Sequence, residues 1–381
     1  MGIPYFSLAP GLNVSKLCLG TMTFGQQNCF QESCELLDRA SAAGINFIDA
    51  AEMYPVPQHP NTQGKTEEYI GRWLRIRKLP RDHFVLATKV TGPSGQMTWI
   101  RDGPKSLDAY NIEEAIDNSL LRLGTDYIDL YQIHWPDRYV PMFGETEYDP
   151  TQQYAAVPIE EQLEALGRAF NAGKIRYVGV SNETPYGVME FCRLAQLVPH
   201  YPRIVSIQNV YNLLCRNFDA GLAECCHHER VRLLAYSPLA MGLLSGKYFA
   251  ADGGPVDARF NVFKDFGIAI GKKQDDMQKG NHDTVYPRTV LLLQSRQGYL
   301  QIAKKYGINP VGLAIAFVLR HPLVGSVIFG ATKPWQLREV LDAYNFPLTT
   351  QIFCIPDVGS WQGLFLTINE LLTFVVVGHD L

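Results

Sequence analysis

The sequence predicts a single-domain α/β protein, a (β/α)8 barrel with its active site at the carboxyl ends of the strands. Short β-branched segments alternate with longer segments of helical periodicity, eight such strands can be counted, and polar residues recur at their ends. Strands that are apolar along their length are typical of parallel sheets buried on both faces. An open doubly wound sheet also fits the alternation, and the count of eight favours the closed barrel.

Eight candidate strands are recognised by runs of Val, Ile and aromatic residues. They lie at residues 17–21, 45–49, 84–89, 127–134, 175–181, 204–208, 231–237 and 324–330. Six polar residues end these strands or directly follow them: Asp49, Lys89, His134, Ser181, Gln208 and Ser237. Because the loops at that end of such a barrel build the active site, the six residues predict a site there.

Helical periodicity fills the intervals between the strands. Residues 66–78 predict one helix with a common apolar face. A second helix is expected to begin at Asn111 as N-cap, with Glu114 as its capping-box partner. A third begins near Pro334, a residue suited to the first turn.

Three long irregular segments interrupt this pattern, at residues 91–110, 135–157 and 249–287. Segments of this length in a compact fold are expected to be lids or binding loops, or else disordered. No linker separates two domains. We therefore predict one barrel domain over residues 1–349, followed by an atypical tail over residues 350–381.

Composition and charge exclude several classes of protein. A chain that is 46% hydrophobic is not disordered, and 34 basic against 38 acidic residues leave no positive surplus for nucleic acid. The amino-terminal residues do not resemble a targeting segment, so a cytoplasmic protein with free thiols is expected. The apolar stretch 364–377 is too short for a membrane span. The run 225–228, Cys-Cys-His-His, has no second cluster to complete a zinc site, so no metal is expected.

Three of the strand-end residues form a chemical set with a nearby tyrosine. Lys89 ends an apolar strand and needs a counter-charge, which Asp49 on the neighbouring strand supplies. An ammonium beside Tyr54 would lower the pKa of the phenol, which could then give a proton to a carbonyl oxygen as hydride arrives. His134 would orient that oxygen through a hydrogen bond.

These four residues, in this order and spacing, match the catalytic tetrad of the aldo-keto reductases. The segments 19–25 (LGTMTFG), 49–57 (DAAEMYPVP) and 179–184 (GVSNET) resemble the Tas-like branch of that family, which is related to the potassium-channel β subunits. The resemblance extends from about residue 5 to about residue 347. It implies a (β/α)8 barrel that binds NADP(H) without a Rossmann fold, and the sequence contains no G-x-G-x-x-G motif.

The resemblance also implies the residues that bind the cofactor. Thr21, Met22 and Asp49 match positions near the ribose and nicotinamide, Ser181, Asn182 and Gln208 match carboxamide contacts, and Tyr236 matches the ring that stacks on the nicotinamide. The segment 237–248 resembles the loop over the pyrophosphate, with Ser237, Pro238, Leu239, Gly242 and Lys247; a flexible surface loop is the alternative. Arg259 matches a position near the adenosine phosphate.

The end of the last strand resembles the second phosphate and adenine site of the family. Its residues are Gly330, Thr332, Lys333, Gln336 and Glu339. A helix begins there, and its N-terminus, with a hydroxyl and a cation, suits the 2′-phosphate of NADP(H). Val340 departs from the family, which commonly has an Asn that bonds the adenine at this position; loss of that contact would cost about 1 kcal/mol of cofactor affinity.

The predicted function is the NADPH-dependent reduction of an aldehyde or ketone, with Tyr54 as the acid. Apolar aromatic residues such as Trp99 and Trp135 favour a hydrophobic small-molecule carbonyl. The alternative is a regulatory subunit that binds NADP(H) and reports redox state to a protein partner. His134 favours catalysis, since channel-type relatives commonly have Asn there. A Schiff-base aldolase would need a depressed pKa at Lys89, which Asp49 opposes.

Overall fold

Eight parallel strands close into a barrel in the computed structural model, which describes residues 2–103, 106–142, 147–249, 254–262 and 290–345. The strands in chain order are β1 (Tyr5–Ala9), β2 (Leu12–Ser15), β3 (Leu17–Gly20), β4 (Phe47–Asp49), β5 (Val85–Val90), β6 (Ile128–Ile133), β7 (Ile175–Ser181), β8 (Ile204–Val210), β9 (Arg232–Tyr236) and β10 (Val324–Gly330). Strands β3 to β10 follow one another around the barrel, and β10 closes it by pairing with β3. The predicted (β/α)8 barrel is confirmed, with strand ends that differ from the prediction by at most two residues.

Helices connect successive strands of the barrel. Those that the structure describes are α1 (Phe30–Ala42), α2 (Lys65–Arg77), α3 (Ala109–Leu123), α4 (Ile159–Asn171), α5 (Pro185–Leu197), α6 (Leu222–His228), α7 (Arg259–Val262), α8 (Val290–Lys305), α9 (Pro310–Leu319) and α10 (Pro334–Asn345). Among the described residues, no single helix combines the length and hydropathy of a membrane span, and one bent helix pair passes that test only when its two parts are joined.

The start of α3 differs from the prediction. Asp108, not Asn111, is the N-cap, and its Oδ1 accepts a hydrogen bond from the Asn111 backbone N–H at 2.8 Å. Both residues have the short polar side chain that caps helices. The prediction at Asn111 is therefore wrong by three residues, because the chain already has helical geometry when it reaches Asn111.

A hairpin of β1 and β2 covers the amino-terminal end of the barrel. Leu8, Leu12 and Val14 of the hairpin belong to one buried cluster with barrel residues such as Phe47 and Leu130. The hairpin was not predicted, although the Pro-Gly turn between two short alternating segments is its signal. It removes the lower apolar layer of the barrel from water.

The barrel interior becomes polar towards the carboxyl ends of the strands. In the strand register Lys89 pairs with Gln132, and Gln132 pairs with Gly179. Asp49 pairs with Ala87 one strand earlier, and Ser181 pairs with Gln208 further round. Parallel pairing thus brings polar residues that are distant in sequence to one level of the barrel, where the site is expected.

The chain divides into two compact units, Met1–Tyr344 and Asn345–Leu381. The first contains the whole barrel. The second, apart from Asn345, lies outside the described residues, as does most of the segment 249–287 that we predict to be a loop. The boundary between barrel and tail at residues 349 and 350 stays a prediction.

Candidate active site

A buried ion pair lies at the centre of the polar layer. The Lys89 side chain is fully buried, and its Nζ lies 2.5 Å from Asp49 Oδ1 and donates to the Ala50 carbonyl at 2.7 Å. Burial by itself would lower the pKa of Lys89, but the charge of Asp49 and the hydrogen bond to it act against this, and the net pKa is raised. Lys89 therefore remains an ammonium, which argues against a Schiff-base nucleophile.

Tyr54 lies beside this ammonium. Lys89 Nζ is 5.1 Å from the centre of the Tyr54 ring, and the His134 ring meets that ring edge-on at 5.7 Å. Burial raises the pKa of the Tyr54 phenol, and the Lys89 charge opposes this rise without reversing it. The expected net lowering of that pKa is therefore wrong for this state of the protein, because desolvation of the phenolate outweighs the ammonium. At neutral pH the phenol keeps its proton and can donate it.

His134 completes the group as a neutral imidazole. Burial, followed by the charge of Lys89, holds the pKa of His134 well below its ordinary value. Its Nδ1 is buried and has no hydrogen-bond partner among the residues that the structure describes. The Asn182 side-chain amide donates to the His134 carbonyl at 2.9 Å and so fixes the backbone there. A neutral ring suits hydrogen bonding to a substrate oxygen.

The buried neutral state of His134 predicts a pH dependence of stability. Below pH 6.5 this histidine is protonated in the unfolded chain but stays neutral in the folded protein. The free energy of unfolding therefore falls as the pH decreases. We expect this residue to contribute a slope of up to about 1.4 kcal/mol per pH unit between that pH and its folded-state pKa. Urea titrations at several pH values should show this slope in the wild type and its loss in His134→Asn. Identical slopes in the two proteins would contradict the assignment.

Two buried amides surround the other oxygen of Asp49. Gln208 Nε2 donates to Asp49 Oδ2 at 2.8 Å, and Gln132 Nε2 donates to the same oxygen at 3.3 Å. Gln208 was expected at the site on the basis of the resemblance. Gln132 was missed, although its signal is present: it is an amide near the end of a buried strand, two residues before His134.

The ends of β7 and β9 bring the other residues expected around the nicotinamide together. Ser181 Oγ donates to the Gln208 carbonyl at 2.7 Å, and the Tyr236 hydroxyl donates to Asn182 Oδ1 at 2.8 Å. Asn182 has a left-handed backbone with φ 53°, a conformation that Asn tolerates better than most residues. These bonds fix the Asn182 amide and the Tyr236 ring before any ligand arrives.

Two further residues expected near the nicotinamide, Thr21 and Met22, directly follow β3. Thr21 is fully buried, and its hydroxyl donates to the Asp49 carbonyl at 2.8 Å, so it positions the backbone of β4. The next residue, Met22, has its sulfur 3.6 Å from Nη2 of Arg259. The structure thus places Arg259 beside residues expected near the nicotinamide, which differs from the expected place near the adenosine phosphate.

The segment after β9 is tightly turned. Ser237, Ala240, Met241 and Gly242 all have positive φ, and two short 3₁₀ turns follow Leu239. Gly242 has φ 90°, a backbone conformation that favours glycine, and it faces the flexible end of the Lys247 side chain. The N–H groups of Ala240, Gly242 and Leu244 donate to carbonyls within this segment, and burial lowers the pKa of Lys247. The segment expected over the pyrophosphate is therefore an internally hydrogen-bonded turn with a lysine beside it.

The residues expected at the second phosphate site lie at the start of α10. Gln336 Oε1 accepts hydrogen bonds from the Thr332 N–H at 2.8 Å and the Lys333 N–H at 3.1 Å. Lys333 Nζ lies 3.8 Å from a Glu32 oxygen, and Asn309 donates to Glu339 Oε1 at 3.0 Å. An anion binding these amides would take the place of the Gln336 carbonyl. The N–H groups of Thr332 and Lys333 therefore already point towards one acceptor oxygen. Gly330 ends β10 just before it, and Val340, 2% exposed, packs into the core.

An apolar wall lies next to Tyr54. A buried cluster contains Ala51, Met53, Met97, Ile100 and Trp135, and Tyr54, Val56, Trp99 and Met142 pack against it. Under this wall the Glu52 carboxylate pairs with the Arg101 guanidinium, both side chains being at most 2% exposed. Glu52 also accepts the Thr91 N–H at 2.9 Å. This ion pair joins the loop after β4, which contains Tyr54, to the loop after β5. It was not predicted from the sequence.

The part of the chain that the structure describes contains no group of three or more His, Cys, Asp or Glu side chains arranged to hold a metal ion. In the Cys-Cys-His-His run, Cys226 is fully buried on α6, as a packing residue would be. The described cysteines are free thiols.

Comparison with known proteins shows which family the chain resembles over most of its length. The model described as the Aldo/keto reductase family matches residues 16–355. The chain is 43% identical over 350 residues to the protein tas of Escherichia coli, covering 92% of this chain and 94% of that protein. It is 39% identical to an aldo-keto reductase of Babesia bovis, with coverages of 75% and 95%. It is also 31% identical to a probable voltage-gated potassium channel subunit beta of rice (Oryza sativa subsp. japonica), with coverages of 89% and 90%. The chain belongs to the aldo/keto reductase family of oxidoreductases.

Proposed function

We propose that the protein reduces an aldehyde or ketone to the alcohol with NADPH as the hydride donor. The observation that carries this proposal is the placing of the Tyr54 ring 5.1 Å from Lys89 Nζ and 5.7 Å from the His134 ring. The pKa directions of the three groups favour a protonated phenol, a charged ammonium and a neutral imidazole. This arrangement combines one proton donor, one fixed positive charge and one neutral hydrogen-bonding ring, which is what a carbonyl oxygen needs as negative charge develops on it.

Each residue has a distinct part in the proposed reaction. NADPH, when bound, supplies the hydride, which no side chain can provide. Tyr54 donates its hydroxyl proton to the carbonyl oxygen, and the Lys89 ammonium stabilises the phenolate that forms. Asp49 keeps Lys89 charged and in place at 2.5 Å. His134 directs the carbonyl oxygen towards Tyr54.

The residues that would hold NADP(H) form three groups. At the nicotinamide end they are Thr21, Met22, Asp49, Ser181, Asn182, Gln208 and Tyr236. Over the pyrophosphate they are Ser237, Pro238, Leu239, Gly242 and Lys247, and at the adenosine end Gly330, Thr332, Lys333, Gln336 and Glu339. Arg259, whose Nη2 lies 3.6 Å from the Met22 sulfur, is assigned to the nicotinamide end. Lys333 contributes both a cationic side chain and one of the backbone amides at the start of α10, which supports a preference for the 2′-phosphate of NADP(H) over NAD(H).

Binding and turnover are measured separately to test this proposal. NADPH is titrated against the purified protein by fluorescence, and oxidation of NADPH is then followed with 4-nitrobenzaldehyde and a panel of aliphatic and aromatic carbonyls. Saturable binding with turnover is the expected result. Binding without turnover across the panel would favour an NADP(H)-binding regulatory subunit, the role suggested by the relatives named as channel β subunits. Absence of binding would overturn the cofactor assignment.

A further inference from the structure

Gln132 is a buried polar residue that the proposed reaction does not use. It is fully buried at the level of Lys89 in the barrel. The neighbouring strand leaves room for it, since a Cβ on Gly179 would lie 3.2 Å from Gln132 Cγ. Burying an amide is costly unless its hydrogen bonds are made, so the barrel is built around this side chain for a reason other than apolar packing.

The hydrogen bonds of Gln132 are made with Asp49 and Gln208. Its Nε2 donates to Asp49 Oδ2 at 3.3 Å, and its Oε1 accepts from Gln208 Nε2 at 3.2 Å. The ion-paired carboxylate can only accept hydrogen bonds. Both amides must therefore turn their NH2 groups towards it, which fixes the otherwise ambiguous orientation of each amide.

This geometry leaves one atom of the Gln208 amide unused. Its two N–H donors are taken by Asp49 at 2.8 Å and by Gln132 at 3.2 Å. Its Oε1 has no hydrogen-bond partner among the residues that the structure describes, and it is not sealed from solvent. With Asp49 alone, the amide could pivot about a single hydrogen bond, and the second bond to Gln132 prevents this.

We propose that Gln132 is a positioning residue that holds Gln208 so that its Oε1 accepts a hydrogen bond from the carboxamide N–H of the nicotinamide. The inference rests on the proposed use of NADP(H) and adds a residue that acts through another. It makes recognition of the carboxamide depend on a three-residue network of Asp49, Gln132 and Gln208.

The test compares two cofactors in equilibrium binding. NADPH carries the carboxamide, and its reduced 3-acetylpyridine analogue has a methyl group where the carboxamide has NH2. Gln132→Met preserves length and volume. We expect it to raise the Kd for NADPH by about three- to tenfold, the worth of one neutral hydrogen bond, and to leave the Kd for the analogue within about twofold. Discrimination is the ratio of the Kd for the analogue to the Kd for NADPH. When Gln208→Met is already present, adding Gln132→Met should not lower this ratio further.

Gln162→Met is the matched control. Gln162 is a buried glutamine of α4 whose Nε2 donates to the Val157 carbonyl at 3.0 Å, on the outside of the barrel. It should lower stability without changing the ratio of the two dissociation constants. If Gln132→Met does not fold, Gln132→Glu is the second variant. Beside Asp49 its carboxyl is expected to be protonated, so its O–H donates to Asp49 Oδ2 while its other oxygen accepts from Gln208 Nε2, and discrimination between the cofactors should be preserved.

The outcomes separate this inference from the proposed function. Three outcomes would overturn the role of Gln132 alone. They are an equal rise of the Kd for both cofactors in Gln132→Met, a loss of the preference for NADPH over the analogue in Gln132→Glu, and a wild type that binds the two cofactors equally well. Binding with discrimination but no carbonyl turnover would overturn the proposed reductase and support Gln132. A wild type that binds neither cofactor overturns both.

Discussion

Tyr54→Phe is expected to lower kcat for carbonyl reduction by about 10²–10⁴-fold, the usual contribution of a positioned proton donor. The substitution removes the hydroxyl and keeps the ring that packs against the buried apolar cluster beside it. Affinity for NADPH should stay within about twofold, because no neutral hydrogen bond to the cofactor is assigned to this hydroxyl. Fluorescence titration and steady-state turnover on the same preparations measure both quantities.

The matched control for Tyr54→Phe is Tyr131→Phe. Tyr131 is a fully buried tyrosine of β6 whose hydroxyl has no hydrogen-bond partner among the described residues. Removing that hydroxyl relieves an unsatisfied polar group, so stability should be unchanged or slightly increased and turnover unchanged. Turnover of Tyr54→Phe at more than a tenth of the wild-type rate would show that the proton comes from another group.

Lys89→Met is expected to lower the free energy of unfolding by about 3–5 kcal/mol, since it leaves the Asp49 carboxylate buried without its counter-charge. The pair is sealed from water, with side-chain exposures of 0% for Lys89 and 3% for Asp49. Urea denaturation at pH 7 measures the loss. Turnover should disappear as well, because nothing then stabilises the Tyr54 phenolate.

The double variant Asp49→Asn with Lys89→Met separates charge burial from catalysis. Removing both charges should restore much of the lost stability, because replacing a whole buried pair by neutral groups is often close to neutral. It should restore no turnover. A double variant as unstable as Lys89→Met alone would mean that packing in this layer, and not the unpaired carboxylate, sets the cost.

The sequence by itself determined the barrel and the members of its reactive group. Eight runs of β-branched residues predict strands because their side chains fit a sheet buried on both faces. Their order around the barrel is their order along the chain. Asp49 and Lys89 could be paired before any coordinates, since a lone ammonium on an apolar strand requires a partner. These inferences depend on local pattern and on the cost of burying charge, both of which are readable along the chain.

Only the tertiary structure decided the properties that depend on distant neighbours. The sign of the pKa shift at Tyr54 is a balance between burial and the Lys89 charge, and sequence shows the charge without the depth of burial. The contact of Arg259 with Met22 joins residues 237 positions apart. In the sequence Gln132 is one of two polar residues in β6, the other being Asp129, and its hydrogen-bond partners come from β4 and β8. Desolvation and long-range hydrogen bonding are set by the packed barrel, so a linear pattern can name these residues without stating what they do.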